Sequence, residues 1–89
     1  MKADKPEKGA ILQRDKETYA IAPHMPGGVT TPAYLRKIAD VAEKYNAKAL
    51  KVTSSQRIAI VGLAEENLDR IWEELGEKPG AAIGLYVRS

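Results

Sequence analysis

The chain contains no cysteine. That excludes disulfides, thiolate zinc sites, a thiol nucleophile and any iron–sulfur cluster ligated by this chain alone. It has 1 histidine, so a His/Cys metal site is excluded too. No apolar run is long enough to span a bilayer, and the first residues are polar rather than signal-like. Those two absences predict a cytoplasmic protein with no membrane partner. A dominant charge is missing as well. The 14 Lys and Arg against 12 Asp and Glu leave a net charge of +2, mixed in sign along the chain, which argues against a nucleic-acid partner.

What remains is an ordinary globular composition, 44% hydrophobic and 29% charged over 89 residues, enough for one domain with a small core. Residues 1–8 are charged, contain Pro6, and read as a disordered lead-in. Residues 9–89 read as the domain. Strands are expected over 9–14, 18–24, 49–53, 57–61 and 83–88. Thr31 and Pro32 supply an N-cap and a first-turn proline for a helix running to about Tyr45, and Asn46 suits the left-handed residue that ends it. Leu35, Ile38, Ala39, Ala42 and Tyr45 share its apolar face. A second helix is expected over 65–75, buried through Leu68, Ile71, Trp72 and Leu75 and closed by Gly76. Leu50, Val52, Ile58 and Ile60 are expected to point to the core.

From residue 18 onward the order is strand, helix, strand, strand, helix, strand. That is the ferredoxin-like split βαβ pattern, an α+β fold of βαββαβ order with an extra N-terminal strand. Right-handed crossovers place both helices on one face of an antiparallel sheet. By alternation the open face carries Ala20, Ala22, His24, Lys51, Thr53, Ala59, Val61, Gly84, Tyr86 and Arg88. Many of these are small for a solvated face, so it is expected to be covered by a second sheet, a second copy or a planar cofactor. Tyr86 alone is aromatic there, which counts against RNA binding.

The polar centre of the sequence is His24-Met25-Pro26-Gly27-Gly28-Val29-Thr30-Thr31-Pro32. Two glycines beside a helix start can bring backbone N–H groups to an anion, or can form a plain turn. His24 can bind an anion when protonated, or hydrogen-bond within the turn. Arg57 can bind a carboxylate near the second hairpin. Ser54 and Ser55 lack the base and orienting acid of a nucleophilic site. No catalytic constellation and no metal site is found.

These residues also carry a resemblance. Met25-Pro26-Gly27-Gly28-Val29-Thr30, the helix from Leu35 to Tyr45, and Lys51-Val52-Thr53-Ser54-Ser55-Gln56-Arg57-Ile58, in this order, resemble the ferredoxin-like half-domain of siroheme-containing nitrite and sulfite reductases. The resemblance implies one half-domain of a longer polypeptide, in which two copies related by a pseudo-two-fold axis clasp domains carrying siroheme and a 4Fe-4S cluster. It implies no catalysis by this chain alone. It places His24, Thr53, Gln56 and Arg57 nearest the cofactor and anion. It also implies pairing, as a homodimer or with a second half-domain, through the small-residue sheet face. In the family, arginines occupy the positions of His24 and Ser55. Their replacement gives an alternative expectation, a cofactor-free regulatory or protein-interaction module of the same fold.

Overall fold

The computed structural model describes residues 2–77. Four strands, β1 (Ala10–Leu12), β2 (Tyr19–Ile21), β3 (Ala49–Val52) and β4 (Ile58–Leu63), accompany two helices, α1 (Pro32–Lys44) and α2 (Leu68–Leu75). The sheet order is β1-β2-β4-β3 and every neighbouring pair is antiparallel. β2 and β3 therefore run the same way with β4 between them, and α1 is the crossover that joins them. This is the split βαβ arrangement expected from the sequence. The expected strand over 83–88, and with it Gly84, Tyr86 and Arg88, lies outside the described residues.

Each boundary has a local cause. The Thr31 hydroxyl accepts the Tyr34 N–H at 3.1 Å and Pro32 opens α1. Asn46, at φ 58°, ends it. The second helical stretch starts as a short 3-10 turn, Glu65–Asn67, and becomes α-helical at Leu68. β4 runs two residues beyond the expected 57–61. The extension comes from a bulge: Tyr19 pairs with Leu63, and Ala20 with Val61. Gly62, at φ +89°, absorbs the extra residue, and Leu63 returns to the core side, fully buried. A Cβ on Gly62 would sit 2.9 Å from the Lys48 backbone nitrogen, so glycine is required there.

The core joins Ala10, Tyr19, Ile21, Ile60 and Leu63 of the sheet to Ile38, Val41 and Ala42 of α1 and Leu68, Ile71, Trp72 and Leu75 of α2. It contains no buried residue of β3. The expectation that Leu50 and Val52 point into the core is corrected here. They share a face with Ile60 and Ile58 but are 46% and 78% exposed, because β3 is an edge strand that neither helix covers. Leu35, also expected in the core, is 43% exposed, and Ala39 is exposed beside it. The buried face of α1 is instead Tyr34, Ile38, Val41, Ala42 and Tyr45, one helical step round.

Residues 2–8 differ from the disordered lead-in that their composition suggests. Pro6–Lys8 form a 3-10 turn, the Leu12 N–H donates to Asp4 at 2.7 Å, and Tyr19 donates its hydroxyl to the Ala3 carbonyl at 2.9 Å. The buried Trp72 indole N–H donates to the Lys8 carbonyl at 2.8 Å. Two core aromatics need polar partners, and the N-terminal arm supplies them.

Candidate functional site

The Pro26–Gly28 turn and the β3–β4 hairpin meet at one end of the sheet. In the turn, the Gly28 N–H donates to the Met25 carbonyl at 2.9 Å and the Val29 N–H to Pro26 at 3.1 Å. These donors close the turn and are not offered to a ligand. Gly28 also serves close approach, whereas a Cβ on Gly27 would meet nothing within 4 Å. A Cβ on Gly28 would lie 3.1 Å from Gln56 Oε1 and 3.2 Å from Gln56 Cβ. The absence of that carbon lets the turn rest on the hairpin.

The hairpin is closed by Thr53. Its backbone N–H donates to the Arg57 carbonyl at 2.8 Å, its carbonyl accepts the Gln56 N–H at 3.0 Å, and its hydroxyl accepts the Arg57 N–H at 3.2 Å. Gln56 takes φ 62°, a left-handed conformation that the tight hairpin imposes. The geometry sends the half-buried Arg57 side chain back towards the end of β2. One guanidinium nitrogen donates to the Ala22 carbonyl at 3.2 Å, and the other lies 3.2 Å from His24 Nδ1. Both partners are neutral acceptors when His24 carries its proton on Nε2. Among the described residues no carboxylate forms an ion pair with Arg57.

His24 is also met from the far side. Glu77, just past α2, accepts from the Tyr34 hydroxyl and is an electrostatic neighbour of His24. Burial pushes the Glu77 carboxyl above its ordinary range, and the contact with His24 offsets part of that rise.

Thr53, Gln56 and Arg57 line a cleft of about 470 Å³ together with Met25, Gly28 and Thr30. Leu35, Val52 and Ile58 form its apolar wall. His24 stands outside the lining and reaches the cleft through Arg57. The structure thus brings three of the four sequence-derived site residues to one cleft and ties the fourth to them. The apolar wall was missed, because Leu35 and Val52 carry the same spacing signal as core residues. Among the described residues no three His, Asp or Glu side chains gather as a metal site, and no helix is long and apolar enough to cross a membrane.

The open sheet face presents a shallow depression of about 440 Å³, floored by Ala20, Ala59 and Val61 and edged by Gln13, Lys51 and Ser54. The small residues lie where alternation placed them.

Four antiparallel strands, two helices, and a glycine turn seated on a polar hairpin define a ferredoxin-like half-domain. The chain belongs to the nitrite/sulfite reductase ferredoxin-like half domain family, which matches residues 11–78. It is 48% identical over 85 residues to an assimilatory-type sulfite reductase of Nitratidesulfovibrio vulgaris, covering 96% of this chain and 38% of that protein. It is 44% identical over 80 residues to a nitrite reductase [NAD(P)H] of Bacillus subtilis, covering 90% of this chain and 10% of the relative. With the nitrite reductase (NADH) large subunit of Escherichia coli the figures are 38% over 68 residues, 76% and 8%. The chain therefore spans well under half the length of each of these relatives. No solved structure matches it significantly.

Proposed function

We propose that this chain acts as one half-domain of a siroheme- and iron–sulfur-dependent nitrite or sulfite reductase, forming part of the cofactor and anion cradle without catalysing alone. One observation carries the reading. Arg57 lines a cleft built by the two family motifs, and the observed partners of its guanidinium are a carbonyl and an imidazole. A half-buried cation held by neutral acceptors is suited to an anionic oxygen ligand. Siroheme carboxylates, or the oxyanion substrate, fit that donor. A 4Fe-4S cluster does not fit this chain, which has no cysteine to ligate it, so the cluster belongs to another part of the assembly. Bound siroheme would supply the redox iron. The residues here would hold an anionic oxygen at Arg57, with the Gln56 amide beside it and Leu35, Val52 and Ile58 against an apolar edge. The alanine floor of the open sheet face supports pairing with a second half-domain or a second copy.

The test is a siroheme titration of the purified chain followed by absorbance. Binding is expected, and Arg57→Gln should weaken it about tenfold or more, the loss expected for a charge-assisted contact. An unchanged spectrum with the wild-type chain would reject the cradle.

A second reading rests on a different observation. Val29, Leu35, Leu50 and Val52 are the large apolar side chains most exposed among the described residues. Together with the loss of the family arginines at His24 and Ser55, they favour an interaction module that has kept the fold and not the cofactor. Restoring both arginines separates the two: a gain in tetrapyrrole affinity supports the cradle, and no gain supports the module.

A further inference from the structure

The His24–Arg57 contact couples the cleft to a proton. Nδ1 of His24 lies 3.2 Å from an Arg57 guanidinium nitrogen. Arginine stays protonated and can only donate, so this contact exists as a hydrogen bond only while Nδ1 is unprotonated. Histidine is the side chain whose charge changes near neutral pH. Once His24 gains its proton, Nδ1 becomes a donor and two cations face each other across the same gap. The two cations repel, and an anion between or beside them relieves that repulsion.

The surrounding groups leave that role open. From the hairpin, Arg57 itself faces His24; its other described partner is the Ala22 carbonyl. From beyond α2, the Glu77 carboxylate feels the charge of His24, but it forms no ion pair with the ring and takes the Tyr34 hydroxyl of α1. No described carboxylate forms an ion pair with His24 or with Arg57.

We infer that His24 makes anion binding at Arg57 proton-linked: the cleft takes up one anionic oxygen group together with a proton on His24. The inference rests on the anion-cradle reading and adds a role for His24. Neutral His24 holds the guanidinium against the end of β2. Protonated His24 releases it and adds a second charge.

The experiment is calorimetric binding of sulfate, whose own charge is constant over the range, to the full chain at about pH 8 and about pH 5.5. Running each titration in two buffers of different ionisation enthalpy gives the protons taken up per anion. Affinity should rise on the order of tenfold at the lower pH, with uptake approaching one proton when the titration starts from neutral His24. Acetate in place of sulfate tells whether a carboxylate serves as well as a tetrahedral oxyanion. H24Q should bind without proton uptake, and H24R should bind equally at both pH values. Anion binding by the wild type with no proton uptake, or the same uptake in H24Q, overturns the linkage and leaves the cradle standing. No binding at either pH in wild type and H24R overturns both. Binding that emerges only in E77Q makes Glu77 the internal anion and overturns the linkage as stated.

Discussion

Gly28→Ala tests whether the turn and the hairpin form one unit. Gly28 has φ +74°, where an L side chain is strained by about 1–2 kcal/mol. The new Cβ would also lie 3.1 Å from Gln56 Oε1 and 3.2 Å from Gln56 Cβ. Gln56 cannot yield freely, because its own φ of 62° and its N–H bond to Thr53 fix its backbone. The contact should add about 1 kcal/mol, the low end of overpacking costs. The expected loss is then about 2–3 kcal/mol. A chain of 89 residues is stable by roughly 4–13 kcal/mol, so the variant should still fold. Gln56→Gly provides the second half of a double-mutant cycle. It removes the side chain that the new methyl group meets, and it relieves the left-handed strain at position 56, so by itself it should not destabilise. In that background Gly28→Ala should cost only its backbone strain. The coupling energy, about 1 kcal/mol, belongs to the contact. Urea unfolding followed by Trp72 fluorescence measures it, since Trp72 is the sole tryptophan and lies in the core. An equal cost for Gly28→Ala in both backgrounds would show that turn and hairpin do not abut, and the cleft between them would lose its basis.

Two further outcomes follow from the packing and the charges. Val52→Thr should change stability by no more than about 0.5 kcal/mol, whereas Ile60→Ala, at a fully buried position two strand residues from Val52's cross-strand partner Ile58, should cost about 2–5 kcal/mol; comparable losses would place β3 under cover. Asp15 accepts the Thr18 and Glu17 N–H groups, the Thr18 hydroxyl and the Lys48 ammonium, and these bonds hold its carboxyl well below the ordinary range. A depressed folded-state pKa gives stability that is full above the unfolded value and fades as pH falls below it. Asp15→Ala should therefore melt lower than wild type at neutral pH, with the gap narrowing steadily below about pH 4; a gap that stays constant into acid would remove the charge from the account.

The elements were legible because their signals are local. Thr31-Pro32 marks a helix start through one hydroxyl and one missing N–H, and Asn46 marks its end through tolerance of positive φ. What the chain does not write locally is which apolar residue receives a cover. Leu35 and Ile38 both sit at helical spacing, and Leu50 and Ile60 both alternate inward; only the sheet order decides that the first of each pair faces the margin. A strand at an edge and a strand at the centre can carry the same pattern. The docking of residues 2–8 was hidden for a related reason. Their composition is that of a solvated tail, and the need they meet arises elsewhere, in the Tyr19 hydroxyl and the Trp72 indole N–H.

The site shows the same division. Thr53, Gln56 and Arg57 are neighbours in sequence, so finding them on one cleft follows from finding the hairpin. Their link to His24, 33 residues from Arg57, does not. It depends on β2 lying directly beside β4, which brings the end of the first strand to the base of the hairpin. An arginine at position 24, which the family resemblance implies for other members, would place a second cation against Arg57, a repulsion that a bound anion would relieve. Histidine in that place removes the standing repulsion and accepts a hydrogen bond from Arg57 instead. On the proposed reading, the histidine lets the half-domain keep its hairpin in order whether or not an anion is present, and it ties the return of the second charge to the proton.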